Sequence, residues 1–373
     1  MAIGPRDTAS LVMLTGWDAT ALQNFQLQDG TTYAEIVAML DASLAALQAE
    51  FSSDWLTGLY SITDQPDLEY RVGVSNGFEV HTEYGRPDPR RAATEGHMLP
   101  LLAYDRMLGW TWDYLRQARI PQIEADIADA VKDARDKRRV ALLTRLLKNG
   151  DDSGANKGLG SSGYSPGFAT TESATNVDFV PPTVGGVAFA NTHEHYVGIG
   201  GGAFTAAVFQ DAKDELREHG HEPPYEFMIG PSDEATVRGL TAGGFVGVAQ
   251  NLVIYGSTQD RASLSPVADA TGSYYIGTIY DFAVRVVTGC PQYYGFGWKS
   301  YGRLSQRNPL GVRVGKGASA LSVIAVPDPR GGNAQNPIQN LMLFTEFGVG
   351  VRDRTNGTPR YVNNATWADG TPT

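Results

Sequence analysis

The sequence predicts an α+β fold carrying two projections, and three observations predict it. Residues 121–148, PQIEADIADAVKDARDKRRVALLTRLLK, keep helical periodicity over 28 positions, more than twice the length of an average globular helix. Residues 67–112 alternate like strands on both sides of Gly85-Arg-Pro-Asp-Pro-Arg-Arg91, a segment whose prolines keep it out of any central strand. From about residue 205 a helix–strand–helix run appears, and past 245 it gives way to the strand patterns VGVAQNLVIYG, GSYYIGTIYDFAVRVV, LGVRV and ALSVIAV.

Each element can be justified in order. The first thirty residues have few periodic apolar positions and end at Asp29-Gly30, a turn signal, so an extended arm is expected. Thr32-Tyr-Ala-Glu35 has capping-box spacing. Behind it Ile36, Leu40, Leu44, Leu47 and Phe51 fall on one stripe of an amphipathic helix. The alternation within 67–112 predicts a long hairpin whose tip leaves the body; because a lone two-stranded hairpin is marginal in water, it is expected to rest on another subunit. In the helix of 121–148, Pro121 suits a first turn, and Ile123, Ile127, Ala130, Val131 and Ala134 trace one face. Lys132/Asp136 and Asp133/Lys137 stand at i,i+4 spacing. Its acids gather at the start and its cations at the end, as the helix dipole favours. At 1.5 Å per residue it is a rod of about 40 Å. Residues 150–202, rich in Gly, Ser, Thr and Asn, read as a loop or loose hairpin. A helix over about 205–219 is closed by Gly220, Tyr225–Ile229 is a short strand, and Ser232 can cap another short helix. The last element is the strand LMLFTEFGVGVRD, 341–353.

Composition bounds the function. A chain of 373 residues holds two or three ordinary domains, or one elaborate one; at 42% hydrophobic it can build a core. A formal charge of −11 argues against a protein whose task is to grip nucleic acid. The single cysteine, Cys290, rules out an intrachain disulfide framework and a Cys-rich zinc site. Within VVTGCPQYYG no cation or histidine activates its thiolate, so its expected role is structural. No stretch has the apolar length of a membrane span. MAIGPRDTASLVML lacks a basic leader, so folding in a reducing cytoplasm is expected.

Several catalytic look-alikes fail on chemistry. Gly198-Ile-Gly200-Gly201-Gly202-Ala203 fits a loose G-x-G-x-x-G/A pattern. However, the preceding strand would contain His193, Glu194 and His195, and no acid closes the second strand to hold a ribose. Gly163-Tyr-Ser165-Pro-Gly167 matches a hydrolase elbow by letters only, since Pro166 has no N–H for the oxyanion hole. His193/His195 and His219/His221 are each i,i+2 and could share a face if extended. Nothing in the sequence brings the two pairs together, and His219 near a helix end needs no metal to explain it. No catalytic, cofactor-binding or metal residue is therefore expected.

In order along the chain, TEYGRPDPRRAATEGHMLPL leads into LGWTWDYLRQARIPQIEADIADAV, followed by LREHGHEPPYEFMIGPSDEATVRGL and NLMLFTEFGVGVRDRTNG. These segments resemble the major capsid proteins of tailed bacteriophages (Caudoviricetes), the Hong Kong 97-type shell fold. The resemblance implies residues 1–66 as N-terminal arm and amphipathic helix, 67–112 as extended loop and 113–202 as peripheral domain with spine helix. Residues 203–330 would form the axial domain and 331–373 the return into the peripheral domain. It implies a structural protein of the virion, assembled in the host bacterial cytoplasm into pentamers and hexamers that enclose double-stranded DNA without reading its sequence. Portal, scaffolding and decoration proteins are the further partners it implies; no cofactor and no membrane are. Arg86, Arg90, Arg91 and Arg106, in or near the extended loop, are candidates for inter-subunit contacts with neighbouring carboxylates, against the plainer reading of solvated arginines.

Two departures matter. Some members crosslink a lysine of the extended loop to an asparagine of another subunit, but residues 67–112 contain no lysine, which excludes that bond. Only about 65 residues precede the loop, so scaffolding would be a separate protein, or the form is already processed or naturally short. Two other functions stay open: an encapsulin-like nanocompartment shell, and a dinucleotide-dependent enzyme, which would bind its cofactor saturably as a small oligomer.

Overall fold

The computed structural model describes residues 26–72, 93–149, 167–169, 181–190, 192–247, 251–252, 262–263, 272–327 and 338–373. The expected arm up to residue 25, and Arg86, Arg90 and Arg91 with the rest of 73–92, lie outside the described residues. The first half of the chain runs α1 (Tyr33–Ser53), β1 (Tyr60–Thr63), β2 (Asp67–Val72), β3 (Ala93–Met98), β4 (Leu102–Thr111), α2 (Trp112–Gln117) and α3 (Ile120–Leu147). Next come β5 (Val197–Gly198), α4 (Ala206–Glu218), β6 (Tyr225–Ile229), α5 (Glu234–Arg238), β7 (Val246–Gly247), β8 (Asn251–Leu252) and β9 (Ala262–Ser263). β10 (Tyr274–Ile279), β11 (Phe282–Val286), β12 (Tyr294–Trp298), β13 (Leu310–Val314), β14 (Ile324–Pro327), β15 (Ile338–Val351) and β16 (Thr358–Tyr361) complete it. The chain divides into two compact units, each assembled from separated stretches.

The first unit takes the described residues up to Asp54 with Leu101–Arg138 and Val314–Gly348. The capping box closes in both directions: the Glu35 N–H donates to Thr32 Oγ1 at 3.3 Å, and the Thr32 N–H to Glu35 Oε2 at 2.7 Å. Ile36, Leu40, Leu44, Leu47 and Phe51 are all buried, as their stripe predicts. β4 pairs antiparallel with β15 from Leu102↔Phe347 to Thr111↔Ile338, and β14 flanks β15 on its other side. Residues 102–111, grouped by sequence with the extended loop, thus belong to this sheet. On α3, Ile123, Ile127 and Ala130 are buried while Val131 and Ala134 are half-buried, and Arg138 takes the next inward place on that stripe. Of the two expected i,i+4 pairs, Lys132–Asp136 forms at 2.9 Å. Asp133 pairs with Arg106 of β4 instead, and Lys137 lies over the Tyr104 ring, 4.3 Å from its centre. A charged surface of the helix therefore receives a strand along part of its length.

The second unit takes Trp55–Pro100, Arg139–Arg313 and Val349–Thr373. Its main sheet has seven strands in the order β5-β16-β12-β6-β11-β10-β7. Against it α4 buries Val208, Phe209, Ala212 and Leu216, which join Phe204, Tyr225, Phe227, Ile276, Phe282 and Val284 in one core. β1 and β13 pair in parallel. β2 and β3 pair antiparallel from Asp67↔Met98 to Val72↔Ala93 and, among the described residues, form a two-stranded sheet of their own.

GSYYIGTIYDFAVRVV, read from sequence as strand throughout, contains a two-residue turn at Tyr280-Asp281 between β10 and β11. Both residues have positive φ, 45° and 68°, as a twist-matched hairpin requires. Neither is the glycine or asparagine that would signal it; Asp281 is held by Lys213 at 2.6 Å. Tyr280→Asn is expected to stabilise the protein by about 0.5–1 kcal/mol, because asparagine tolerates left-handed backbone. A raised thermal midpoint checks this, and a lowered one contradicts it.

Candidate functional site

The second unit gathers an unusual set of imidazoles. α4 ends in a Schellman motif: the His221 N–H reaches the Leu216 carbonyl at 3.1 Å and the Gly220 N–H the Arg217 carbonyl at 2.9 Å. Gly220 supplies the left-handed turn this needs, φ 76°. That turn separates the two histidines flanking it. His219 faces one way, while His221 points to the Tyr301 hydroxyl (Nδ1, 2.8 Å) and the Thr355 hydroxyl (Nε2, 3.1 Å). The expectation that His219 and His221 share a face required an extended chain, which the helix end does not provide. His193 and His195 precede β5 in a non-helical segment and do share one, with their Nε2 atoms 3.2 Å apart.

The fold carries His219 to that pair. Its Nε2 lies 3.0 Å from His193 Nε2 and 2.8 Å from His195 Nε2, so three of the four histidines meet in a triangle of nitrogens. His195 and His219 are buried and His193 is half-buried. His195 Nδ1 donates to the Gly357 carbonyl at 2.6 Å, which leaves its Nε2 as a lone pair. His219 Nδ1 has no hydrogen-bond partner among the described residues, and the His219 ring stacks on Phe189 with centroids 4.5 Å apart. Burial pushes the His195 ring well below the usual imidazole range despite the Gly357 hydrogen bond. It takes His219 down to about 2, with His195 and His193 adding to the effect. Both rings are therefore neutral at physiological pH.

One carboxylate stands beside the triangle. Glu215, one turn before His219 on α4, places Oε1 3.9 Å from His195 Nε2. Its Oε2 accepts from buried Arg360 at 2.5 Å and from the Thr358 hydroxyl at 2.6 Å. Arg360 also donates to the His195 carbonyl at 3.2 Å, tying the histidine segment to β16.

Other sequence candidates take ordinary places. Arg106 donates through Nη1 to the Asp129 carbonyl at 2.9 Å and pairs with Asp133, bracing β4 on α3, as Trp110 does through Asp126 Oδ2 at 2.9 Å. The glycine motif fails as a nucleotide cradle: β5 has two residues, and β16 and β12 separate it from β6, whereas a dinucleotide-binding βαβ unit pairs its strands side by side. Ser165 lies outside the described residues. Cys290 is buried, its thiol pushed up by burial and its Sγ 3.6 Å from the Tyr294 carbonyl, an inert packing group. No helix among the described residues is long and apolar enough to cross a membrane.

No protein-family model matches the chain, and no curated protein matches it in sequence. Among solved structures it is similar to a chain of Mycobacterium phage Patience, with TM-score 0.61 and 19% identity over 100% of this chain and 97% of that one. It also resembles, more distantly, the capsid of a native GTA particle, with TM-score 0.47 and 15% identity over 82% of this chain and 89% of that chain. For the mature capsid of bacteriophage PhiM1 the values are 0.48 and 11%, over 84% and 88%. The first, full-length likeness shows the fold, and phage capsids stand among the structural neighbours.

Proposed function

We propose that the chain is a major capsid protein of a tailed bacteriophage, a structural and non-catalytic protein whose copies close into the pentamers and hexamers of an icosahedral head. The observation that carries this reading is a fold likeness spanning the whole chain and 97% of the phage chain it matches. Physical chemistry supports it. Rings need heterologous contacts, one patch against a different patch of the next copy. β2 and β3 pair only with each other among the described residues, and a two-stranded ribbon is marginal in water; a neighbouring copy is the natural support. Arg86, Arg90 and Arg91, which fall in sequence between these two strands, are the side chains we propose for meeting a neighbour's carboxylates. Arg106 uses Nη1 within its own chain, leaving Nε and Nη2 for such a partner. A formal charge of −11 suits a wall that encloses double-stranded DNA without holding it fast. Portal, scaffolding and decoration proteins complete the reading as partners, with assembly in the host cytoplasm and residence in the virion.

Electron microscopy of the purified chain tests it: closed shells are expected, and a stable monomer under all assembly conditions overturns the reading. Shortening residues 85–95 is expected to leave a folded subunit, by circular dichroism and gel filtration, that builds no stable shell. Shells of unchanged stability would reject loop-mediated assembly.

A further inference from the structure

Three imidazole nitrogens in mutual contact cannot all be hydrogen bonded to one another. A ring nitrogen either carries a proton or offers a lone pair, and a hydrogen bond needs one of each. In a triangle made of two kinds of corner, at least one edge joins two of the same kind. So at least one contact among His193, His195 and His219, at 3.2, 3.0 and 2.8 Å, sets proton against proton or lone pair against lone pair. Adding a proton does not remove the conflict; it only changes which edge carries it. One occupant removes it on all three edges at once, a cation that takes up three lone pairs.

We propose that His193, His195 and His219 bind one divalent transition-metal ion, zinc in the first instance, through their Nε2 atoms. A point about 2.0–2.1 Å from all three nitrogens, the Zn–N distance, exists above a triangle of this size, with a fourth direction left for water. An all-imidazole set suits zinc, copper or nickel, not the hard cations that prefer oxygen. The supporting contacts are those of a built site. The Gly357 carbonyl fixes the His195 tautomer so that Nε2 faces the triangle. Glu215 Oε1, 3.9 Å from His195 Nε2, brings negative charge beside the ion, and half-buried His193 is the side of entry. The ion would pin the segment before β5 to the end of α4. All these atoms belong to one chain and one unit, so the inference is independent of whether the chain builds a shell.

The test uses the full chain without an affinity tag, stripped with a chelator and titrated first with zinc and then, separately, with cobalt. One equivalent of zinc by elemental analysis, and the intense visible bands of tetrahedral cobalt, are expected. His193→Ala, at the half-buried corner, and His219→Ala are expected to weaken binding by more than about tenfold. Chelation should lower the thermal midpoint of the wild type and leave that of His193→Ala unchanged. No stoichiometric ion in the folded wild type overturns the proposal, as does full metal content in both variants. The wild-type titration decides the matter even if a variant fails to fold.

Discussion

Replacing Phe227 with alanine is expected to destabilise the subunit by about 3–5 kcal/mol, the usual range for deleting a fully buried aromatic ring. Phe227 is wholly buried on β6, with β11 parallel on one side and β12 antiparallel on the other. Its ring meets Phe209 at 4.7 Å, Phe282 at 5.3 Å and Phe204 at 6.2 Å between centroids. Gly295 and Gly297 of β12 make the room. A Cβ at Gly295 would stand 2.6 Å from Phe227 Cε1, closer than any real contact. Strands on both sides and α4 above leave the cavity nothing with which to collapse, so the cost should lie near the top of the range. Phe227→Leu, which keeps most of the volume, is expected to cost less than about half as much. Equilibrium denaturation of the unassembled subunit measures both, and a loss below about 1 kcal/mol for alanine would mean that this ring does not anchor the core.

What the sequence made legible follows from how far each interaction reaches along the chain. The capping box at Thr32 and Glu35, the buried stripe of α1, the long helix α3, strand β6 and the Gly220 helix end all depend on residues within a turn or two. Each appears where the pattern puts it. The turn at Tyr280-Asp281 was hidden because Tyr280 is a poor turn former and no glycine or asparagine marks the pair, while Lys213 from α4 holds Asp281 in place. The histidine triangle was hidden for a different reason. The His193/His195 spacing is readable, but His219 arrives only because α4 docks on the sheet that contains β16 and β5. No local signal encodes that docking. Assembly of the first unit from three distant stretches is of the same kind: the alternation of β4 was visible, its partner β15 was not. Arg138 is the instructive middle case. It stands four residues beyond Ala134 on the apolar face of α3, a register that marks it as inward, yet its charge argued for solvent.

Asp54→Ala is expected to cost about 3–5 kcal/mol, because it strands that arginine. The Arg138 side chain is 2% exposed and pairs with Asp54, itself 5% exposed. Its Nη1 also donates to the Phe51 carbonyl at 3.4 Å, and the guanidinium lies over the Phe51 ring at 4.0 Å. α1 has no cation in its last turn, so its carbonyl-rich end, Glu50 and Asp54 together form a negative terminus. α3 answers it with Arg135 and Arg138, three residues apart on one face. The outer pair, Arg135–Glu50, makes two hydrogen bonds of 2.7 Å but is a quarter exposed on the arginine side; its loss should cost about 1 kcal/mol. The inner pair differs because neither charge can recover its hydration when the other is removed. Arg138→Met alone should therefore be as damaging as Asp54→Ala, while the double variant should regain most of the loss. A double-mutant cycle by denaturation reads that coupling directly. If the two single losses simply add in the double variant, the pair is not acting as a unit, and the meeting of α1 and α3 is held by Phe51 and its apolar neighbours instead.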